Sequence, residues 1–348
     1  MVNTLLGLNT EELRVLVQEN GEPAYRGKQL AEWVYRHRAR TFEEMANLPD
    51  KLRAGLRKKY EIGCSQALAV QRSQDGTIKL LLEIGKGDKV ETIGLPYAGR
   101  FSCCLSTQVG CPVGCVFCAT GQSGYTRNLT AGEIVEQMLA TEEVARNQQL
   151  QIDGHTRCID HVTLMGMGEP LLNYTATLKA IHLLNSELGI AMRHLTVSTV
   201  GFVPGIRKLA QEELQITLAI SLHAPTDTLR RQLIPGMTEW NITEIVDACS
   251  EYFQQTGRRI TFEYCLLGGV NDGAAEAHEL VRVLHKLNCH VNLIPYNPIS
   301  GLAFCAPLLE NIVAFREILD TGGIRVTQRV QRGSDIDAAC GQLRRRTL

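Results

Sequence analysis

The sequence predicts an α/β protein built on a parallel sheet, open or rolled into a barrel, preceded by a small helical head and an antiparallel β extension. Three observations predict it. From about residue 98 short apolar strands alternate with amphipathic helices. The first sixty residues carry helical periodicity instead. Between them, Asp75-Gly76 and Gly87-Asp88 mark hairpin turns in a run of strand-like segments.

In the head, Thr10 with Glu11 and Glu12 opens a helix continued by Leu13, Val15 and Leu16. Pro23 punctuates. A second helix is expected over 28–38, with Leu30, Trp33 and Val34 on one face, a short third over 42–48, and a fourth from Pro49-Asp50. Trp33 reads as a core residue rather than a base-stacking platform. The extension is expected as strands Ala67–Arg72, Thr77–Ile84 and Lys89–Leu95.

The remaining strands are expected at Phe101–Ser106, Asp160–Gly166, His194–Ser198, Ile216–Leu222, Arg259–Cys265, His290–Ile294 and Arg325–Val330. Helices fit between them at Ala131–Arg146, Thr175–Leu188, Val203–Ala210, Ile242–Gln254, Ala275–Leu287 and Leu308–Leu319. The expected organisation is a helical basic domain over 1–62, the β extension over 63–97, and the α/β domain over 98–348. No repeat of 20–50 residues is visible, and no nucleotide glycine fingerprint supports a Rossmann fold.

Composition narrows the class. The chain has 348 residues, 36 Lys+Arg against 37 Asp+Glu, 44% apolar and 21% charged residues, which excludes wholesale disorder. No run of about 18 apolar residues exists, so a membrane span is excluded. Met1 to Thr10 lacks the features of a signal peptide, so a cytoplasmic protein is expected. Residues 24–60 carry ten basic and four acidic side chains, and residues 325–348 six and two. Two basic ends around an acidic middle suit a phosphate backbone, though charge alone favours solvated helix faces.

Polar and glycine motifs collect just past the strand ends: Gly166–Pro170, Ser198–Gly201, Ser221-Leu222-His223, Gly268–Asp272 and Asn297. In a βα barrel that rim is where chemistry sits. Of twelve cysteines, Cys103, Cys104, Cys111, Cys115 and Cys118 fall within sixteen residues. The others, Cys340 apart, are expected to be mostly inert core thiols, Cys64 included. Cys111-Pro-Val-Gly-Cys115-Val-Phe-Cys118 places three thiolates on one loop, one ligand short of a closed structural site. A four-iron cluster with one open iron fits that count. So does a zinc knob with Cys103 or Cys104 as fourth ligand.

This spacing resembles the signature of the radical S-adenosylmethionine superfamily. Further stretches resemble its dual-specificity ribosomal and transfer RNA adenine carbon-2 methyltransferases: Tyr25–Gln29, Glu91-Thr92, Cys104–Cys111, Ala119–Gly121, Arg127–Thr130, Met165–Pro170, Ser221–Pro225, Asn292–Pro298 and Arg332–Leu343. The resemblance covers essentially the whole chain. It implies a partial βα barrel and a four-iron four-sulfur cluster on Cys111, Cys115 and Cys118. It also implies S-adenosylmethionine held by Gly168, Glu169, Ser198, Ser221, Leu222, His223 and Asn297. Cys340 becomes the methyl carrier, Cys104 the thiol that resolves a covalent RNA adduct by forming a disulfide, and Glu91 the general base. Adenine carbon 2 is electrophilic, so direct polar transfer from a sulfonium fails there, and the carrier cysteine circumvents this.

The implied partners are 23S ribosomal RNA and transfer RNA, met through the basic head and the Arg344-Arg345-Arg346 tail, and a flavodoxin-type reductant. A monomer is expected. Ser334 stands where an acidic residue is common in the related enzymes, and Cys103 is an extra thiol, expected to be structural. The competing readings are carbon-8 methylation of the same ribosomal adenosine, which confers antibiotic resistance, and a zinc-dependent RNA-binding protein without catalysis.

Overall fold

A computed structural model describes residues 3–63, 65–85, 87–152 and 158–343; Cys64 and Arg344-Arg345-Arg346 lie outside the described residues. The head runs β1 (Asn3–Thr4), α1 (Thr10–Glu19), α2 (Tyr25–Ala31), α3 (Asp50–Arg57) and β2 (Tyr60–Glu61), with β1 and β2 paired in parallel. Asn9 caps α1, accepting the Glu12 N–H while Glu12 accepts the Asn9 N–H, so two donors that a helix start leaves open are satisfied. The helix expected over 28–38 is divided: α2 passes at Glu32 into a wider π turn that ends at Arg38, φ 58°. The helix expected over 42–48 shrinks to one turn, Phe42–Glu44, which ends where Met45 leaves helical geometry at ψ 61°. Trp33 is half-buried against the core and donates its indole N–H to Asn47.

Three antiparallel strands follow: β3 (Ser65–Arg72), β4 (Ile78–Ile84) and β5 (Asp88–Tyr97). The rest of the chain runs β6 (Arg100–Cys104), β7 (Gln108–Gly110), α4 (Ala119–Gln122), β8 (Tyr125–Asn128), α5 (Ala131–Asn147) and β9 (His161–Leu164). It continues with α6 (Tyr174–Ser186), β10 (Leu195–Thr199), α7 (Val203–Ala210), β11 (Thr217–Ser221), α8 (Asp227–Leu233), α9 (Ile242–Thr256) and β12 (Ile260–Leu266). Then come α10 (Ala274–Leu284), β13 (Cys289–Pro295), α11 (Leu309–Thr321) and β14 (Arg325–Gln328). The pair β7–β8 and helix α8 have no counterpart among the expected elements.

Ten strands form one sheet in the order β14-β13-β12-β11-β10-β9-β6-β5-β4-β3. It is parallel from β6 to β14 and antiparallel across β3–β5, with free edges at β14 and β3, so it is a partial barrel. Strands such as β12 are buried at nearly every position, the pattern of a parallel strand covered on both faces. Helix α5 is buried almost all round, including Glu133, Glu136, Gln137 and Glu142, because the sheet covers one side and the head the other. Arg38 pairs with Glu142, and Gly7 and Gly132 let the two backbones meet. Gln137 clamps the Ser106 backbone through both its amide atoms, each at 2.8 Å.

The pair β7–β8 closes the fourteen-residue cysteine loop at its base. Gly110 has φ +81°, and a Cβ there would lie 1.8 Å from the Gly124 carbonyl oxygen. Gly110→Ala should therefore cost about 3 kcal/mol or more. Thermal melting checks this, and an unchanged Tm would contradict the close approach.

Candidate active site

The parallel strands deliver their C-terminal ends to one rim, where a single cavity opens. Cys104 ends β6, Ser198 stands near the end of β10, Ser221 ends β11, and Arg329 follows β14; all four line the cavity. Past β9 the chain turns sharply at Gly168, φ +103°, where a Cβ would sit 2.6 Å from Gln108 Cβ. This turn aims Glu169 inward. One carboxylate oxygen accepts the Leu171 N–H at 3.0 Å and the other the Val200 N–H at 2.8 Å, joining the ends of β9 and β10. Burial pushes the Glu169 carboxyl up to about 7 despite those bonds and the charge of Arg230.

Cys111, Cys115 and Cys118 line the same cavity. Burial raises all three thiols, Cys111 to about 12, and the thiols of Cys111 and Cys118 push Cys115 up further. Among the described residues, no three His, Cys, Asp or Glu side chains gather closely enough to hold a single ion. A tetrahedral zinc site needs its sulfurs about 3.8 Å apart. Cys103, proposed as a fourth zinc ligand, is buried and held by Thr92 and Thr141 at 3.7 Å each. Three thiols that line one cavity without converging on a single ion fit a multi-iron cluster with an open iron.

Cys340 is accessible within the same cavity, on a segment bonded to the chain just after Cys118, yet the protein around it raises its thiol to about 11, with Arg329 pulling the other way. Cys104 is buried and raised for the same reason, again opposed by Arg329. His223 has φ 58°, and its Nδ1 accepts the Cys265 N–H at 3.0 Å, so Nε2 carries the proton of the neutral ring. Burial and Arg230 depress its pKa to about 3. Ser198 and Ser221 touch through their hydroxyls at 3.3 Å, and Asn297 lines the wall nearby.

Two expected residues do not line the cavity. Leu222 is fully buried, its N–H bonded to the Glu263 carbonyl. Glu91 lies on the cavity face of β5, two residues before the lining residue Ile93, and pairs with Lys79. Of the other cysteines, Cys249, Cys265 and Cys289 are buried, whereas Cys158 and Cys305 are exposed.

Sequence reasoning missed two arginines. Arg230 of α8 is buried and donates to the carbonyls of Leu222, Ser221 and Val200, placing a cation beside Cys115, Glu169 and His223. Arg329 lines the cavity close enough to act on the charge of both Cys104 and Cys340, and donates to Met165 Sδ at 3.9 Å. The alternating strand 325–330 was the only signal for Arg329. A motif-poor helix hid Arg230.

Comparison with known proteins places this geometry. The radical SAM superfamily profile matches residues 105–281, and the ribosomal RNA large subunit methyltransferase N-terminal domain matches residues 3–62. A probable dual-specificity RNA methyltransferase RlmN from Thermosynechococcus vestitus is 46% identical over 99% of this chain and 99% of that protein. The one so named from Gloeobacter violaceus is 46% identical over 100% and 97%. The crystal structure of a radical SAM methyltransferase from Sphaerobacter thermophilus superposes with a TM-score of 0.93 at 44% identity, covering 99% of this chain and 100% of that one.

The buried Glu169 has a measurable signature in the cluster-free protein. Its carboxyl rises from 4.5 unfolded to about 7 folded. Its stabilisation is complete below the unfolded value and is lost as pH rises through about 7, on the order of 3 kcal/mol in total. Denaturant unfolding at pH 5 and pH 8 should show this loss in the wild type and not in Glu169→Gln. Equal slopes would refute it.

Proposed function

Because the chain belongs to the RlmN-type dual-specificity radical SAM RNA methyltransferases, we propose that it methylates carbon 2 of an adenosine in 23S ribosomal RNA and of an adenosine beside the anticodon in transfer RNA. The protein is a radical SAM RNA methyltransferase whose cofactors are a four-iron four-sulfur cluster and S-adenosylmethionine, both radical source and methyl donor. One observation carries the finer reading: Cys340 and Cys104 line the same cavity as Cys111, Cys115 and Cys118, and Arg329 lines it too.

In this reading Cys111, Cys115 and Cys118 hold the cluster, which together with S-adenosylmethionine supplies a hydrogen-abstracting 5′-deoxyadenosyl radical. Gly168, Glu169, Ser198, Ser221, His223 and Asn297 surround the S-adenosylmethionine, and Leu222 can serve only through its backbone. The Glu169 carboxylate pairs with the methionyl ammonium. The His223 Nε2–H donates to an acceptor. Cys340 sulfur displaces the sulfonium of a first S-adenosylmethionine and takes its methyl, while Arg329 stabilises the thiolate that attacks. After hydrogen abstraction that carbon bonds to adenine carbon 2. Glu91 accepts the proton lost there, and Cys104 attacks Cys340 sulfur, so that a Cys104–Cys340 disulfide forms as the base leaves with the proton of the Cys104 thiol on its new methyl; the one surplus electron would pass to the cluster.

No described helix is long and apolar enough to cross a membrane. The reading further takes the protein as a cytoplasmic monomer with a flavodoxin-type reductant, and the three units 1–62, 63–97 and 98–348 as its domains. The basic head meets folded RNA by shape and backbone, with the target base splayed out.

Anaerobic reconstitution with iron and sulfide, followed by turnover on unmodified ribosomal and transfer RNA, should yield 2-methyladenosine and 5′-deoxyadenosine by nucleoside mass analysis. An 8-methyladenosine product would refute the carbon-2 assignment, and a zinc-loaded protein without S-adenosylmethionine turnover would refute the reading altogether. Cys104→Ala should accumulate RNA covalently joined through Cys340, visible as a shifted band on denaturing gels. Cys340→Ala should show neither methyl-cysteine nor adduct. Free methylated RNA from Cys104→Ala would sink the resolving role.

A further inference from the structure

The segment that carries Cys340 has little secondary structure of its own, the turn Ser334–Ile336 and a tight turn in which the Gln342 N–H bonds the Ala339 carbonyl at 3.0 Å, and both its flanks are pinned. The turn between β3 and β4 holds one flank. Asp75 Oδ2 accepts the Gly333 N–H at 3.0 Å, and Asp335 Oδ2 accepts the Gln74 N–H at 3.1 Å. The cysteine loop holds the other: the Gly341 carbonyl accepts the Ala119 N–H at 2.8 Å and the Leu343 carbonyl accepts the Thr120 hydroxyl at 2.9 Å. Cys340 is suspended between them.

Asp337 sits inside this span at φ 51°, a left-handed conformation that few residues other than glycine, asparagine and aspartate adopt. Lys79 of β4 reaches it. Its Nζ donates to the Asp337 carbonyl at 3.2 Å. The same ammonium is 3.6 Å from Glu91 Oε1 on β5, and both side chains are less than a tenth exposed. Strand register sets this pairing: Lys79 lies opposite Ile93, so Glu91 is its diagonal neighbour on the cavity face. A lysine is seldom buried so deeply without a charged partner. Here one cation spans two elements that are far apart in sequence.

We infer that Lys79 is a positioning residue that couples the charge on Glu91 to the placement of the Cys340 segment. The chemical sense of this coupling rests on the reading in which Glu91 takes the adenine proton and Cys340 carries the methyl. While Glu91 is a carboxylate, it holds the ammonium against the sheet, and the ammonium holds the Asp337 carbonyl. When the proton from carbon 2 arrives on Glu91, the charge–charge attraction is lost and the hold on Asp337 loosens. No electron moves in this step, and the proton leaves later to solvent. The segment is thus released at the stage where Cys340 sulfur must present itself to Cys104.

Hydrogen exchange read by mass spectrometry on the full-length protein tests this without turnover. Peptides spanning 333–340 should exchange about tenfold faster in Lys79→Met and in Glu91→Gln than in the wild type. Lys79→Arg should restore the wild-type rate, and the β5–β6 peptides should not change. Acceleration in Lys79→Met alone would mean that the lysine merely props the segment, and would overturn the coupling. So would wild-type exchange in Glu91→Gln, which decides the matter even where Lys79→Met fails to fold. Absence of RNA methylation by the wild type would instead strike the roles read for Glu91 and Cys340, and leave the exchange result standing.

Discussion

Three thiols crowded on one wall of a buried cavity cannot ionise together unless positive charge stands among them. Much of the site is arranged around that constraint. Arg230 is the cation that the fold itself provides, and it is itself costly to bury, which is why it spends its donors on backbone carbonyls at the ends of β10 and β11. The rest of the charge has to come from the bound cluster. The loop also has to pack closely enough to exclude water. A Cβ at Gly236 would lie 2.3 Å from the Val113 carbonyl oxygen, and one at Gly121 2.8 Å from Cys115 backbone atoms. Asn173 completes the enclosure by donating to the carbonyls of Thr107 and Leu129, where the loop enters and leaves.

The head is mechanically continuous with this site. Arg38 and Arg40 reach Glu142, Glu136 and Glu143 on α5. From the same helix Gln137 grips Ser106, two residues beyond Cys104. The basic head and the strand that ends in Cys104 are therefore bolted to one helix. Charged partners on that helix are buried because both sides are covered, so α5 lacks the amphipathic pattern of a surface helix.

The sequence was most legible where a single element sufficed to give the signal. Doubly covered strands read as apolar runs, capped helices announced their starts, and the cysteine spacing marked the loop. Partnerships that depend on distant pieces of chain were silent. Lys79 and Asp337 are 258 positions apart, and nothing local distinguishes that lysine from a solvated one. Val15, counted with the apolar residues of α1, is in fact 55% exposed. The β7–β8 ladder is too short to show a period of two, and the π turn after α2 keeps ordinary helical composition. The roles proposed for Cys340 and Cys104 rest on resemblance, since neither has a distinctive neighbourhood in sequence.

The antiparallel extension has an effect beyond enlarging the sheet. Without it β6 would be an edge strand; with it, β6 is bonded to β5 on one side and β9 on the other. Cys104 thus rides on a member braced from both flanks and cannot travel. In the proposed reaction the bond between the two sulfurs is therefore made by movement of Cys340 against a fixed Cys104, much as the free arm of a caliper moves against its fixed jaw.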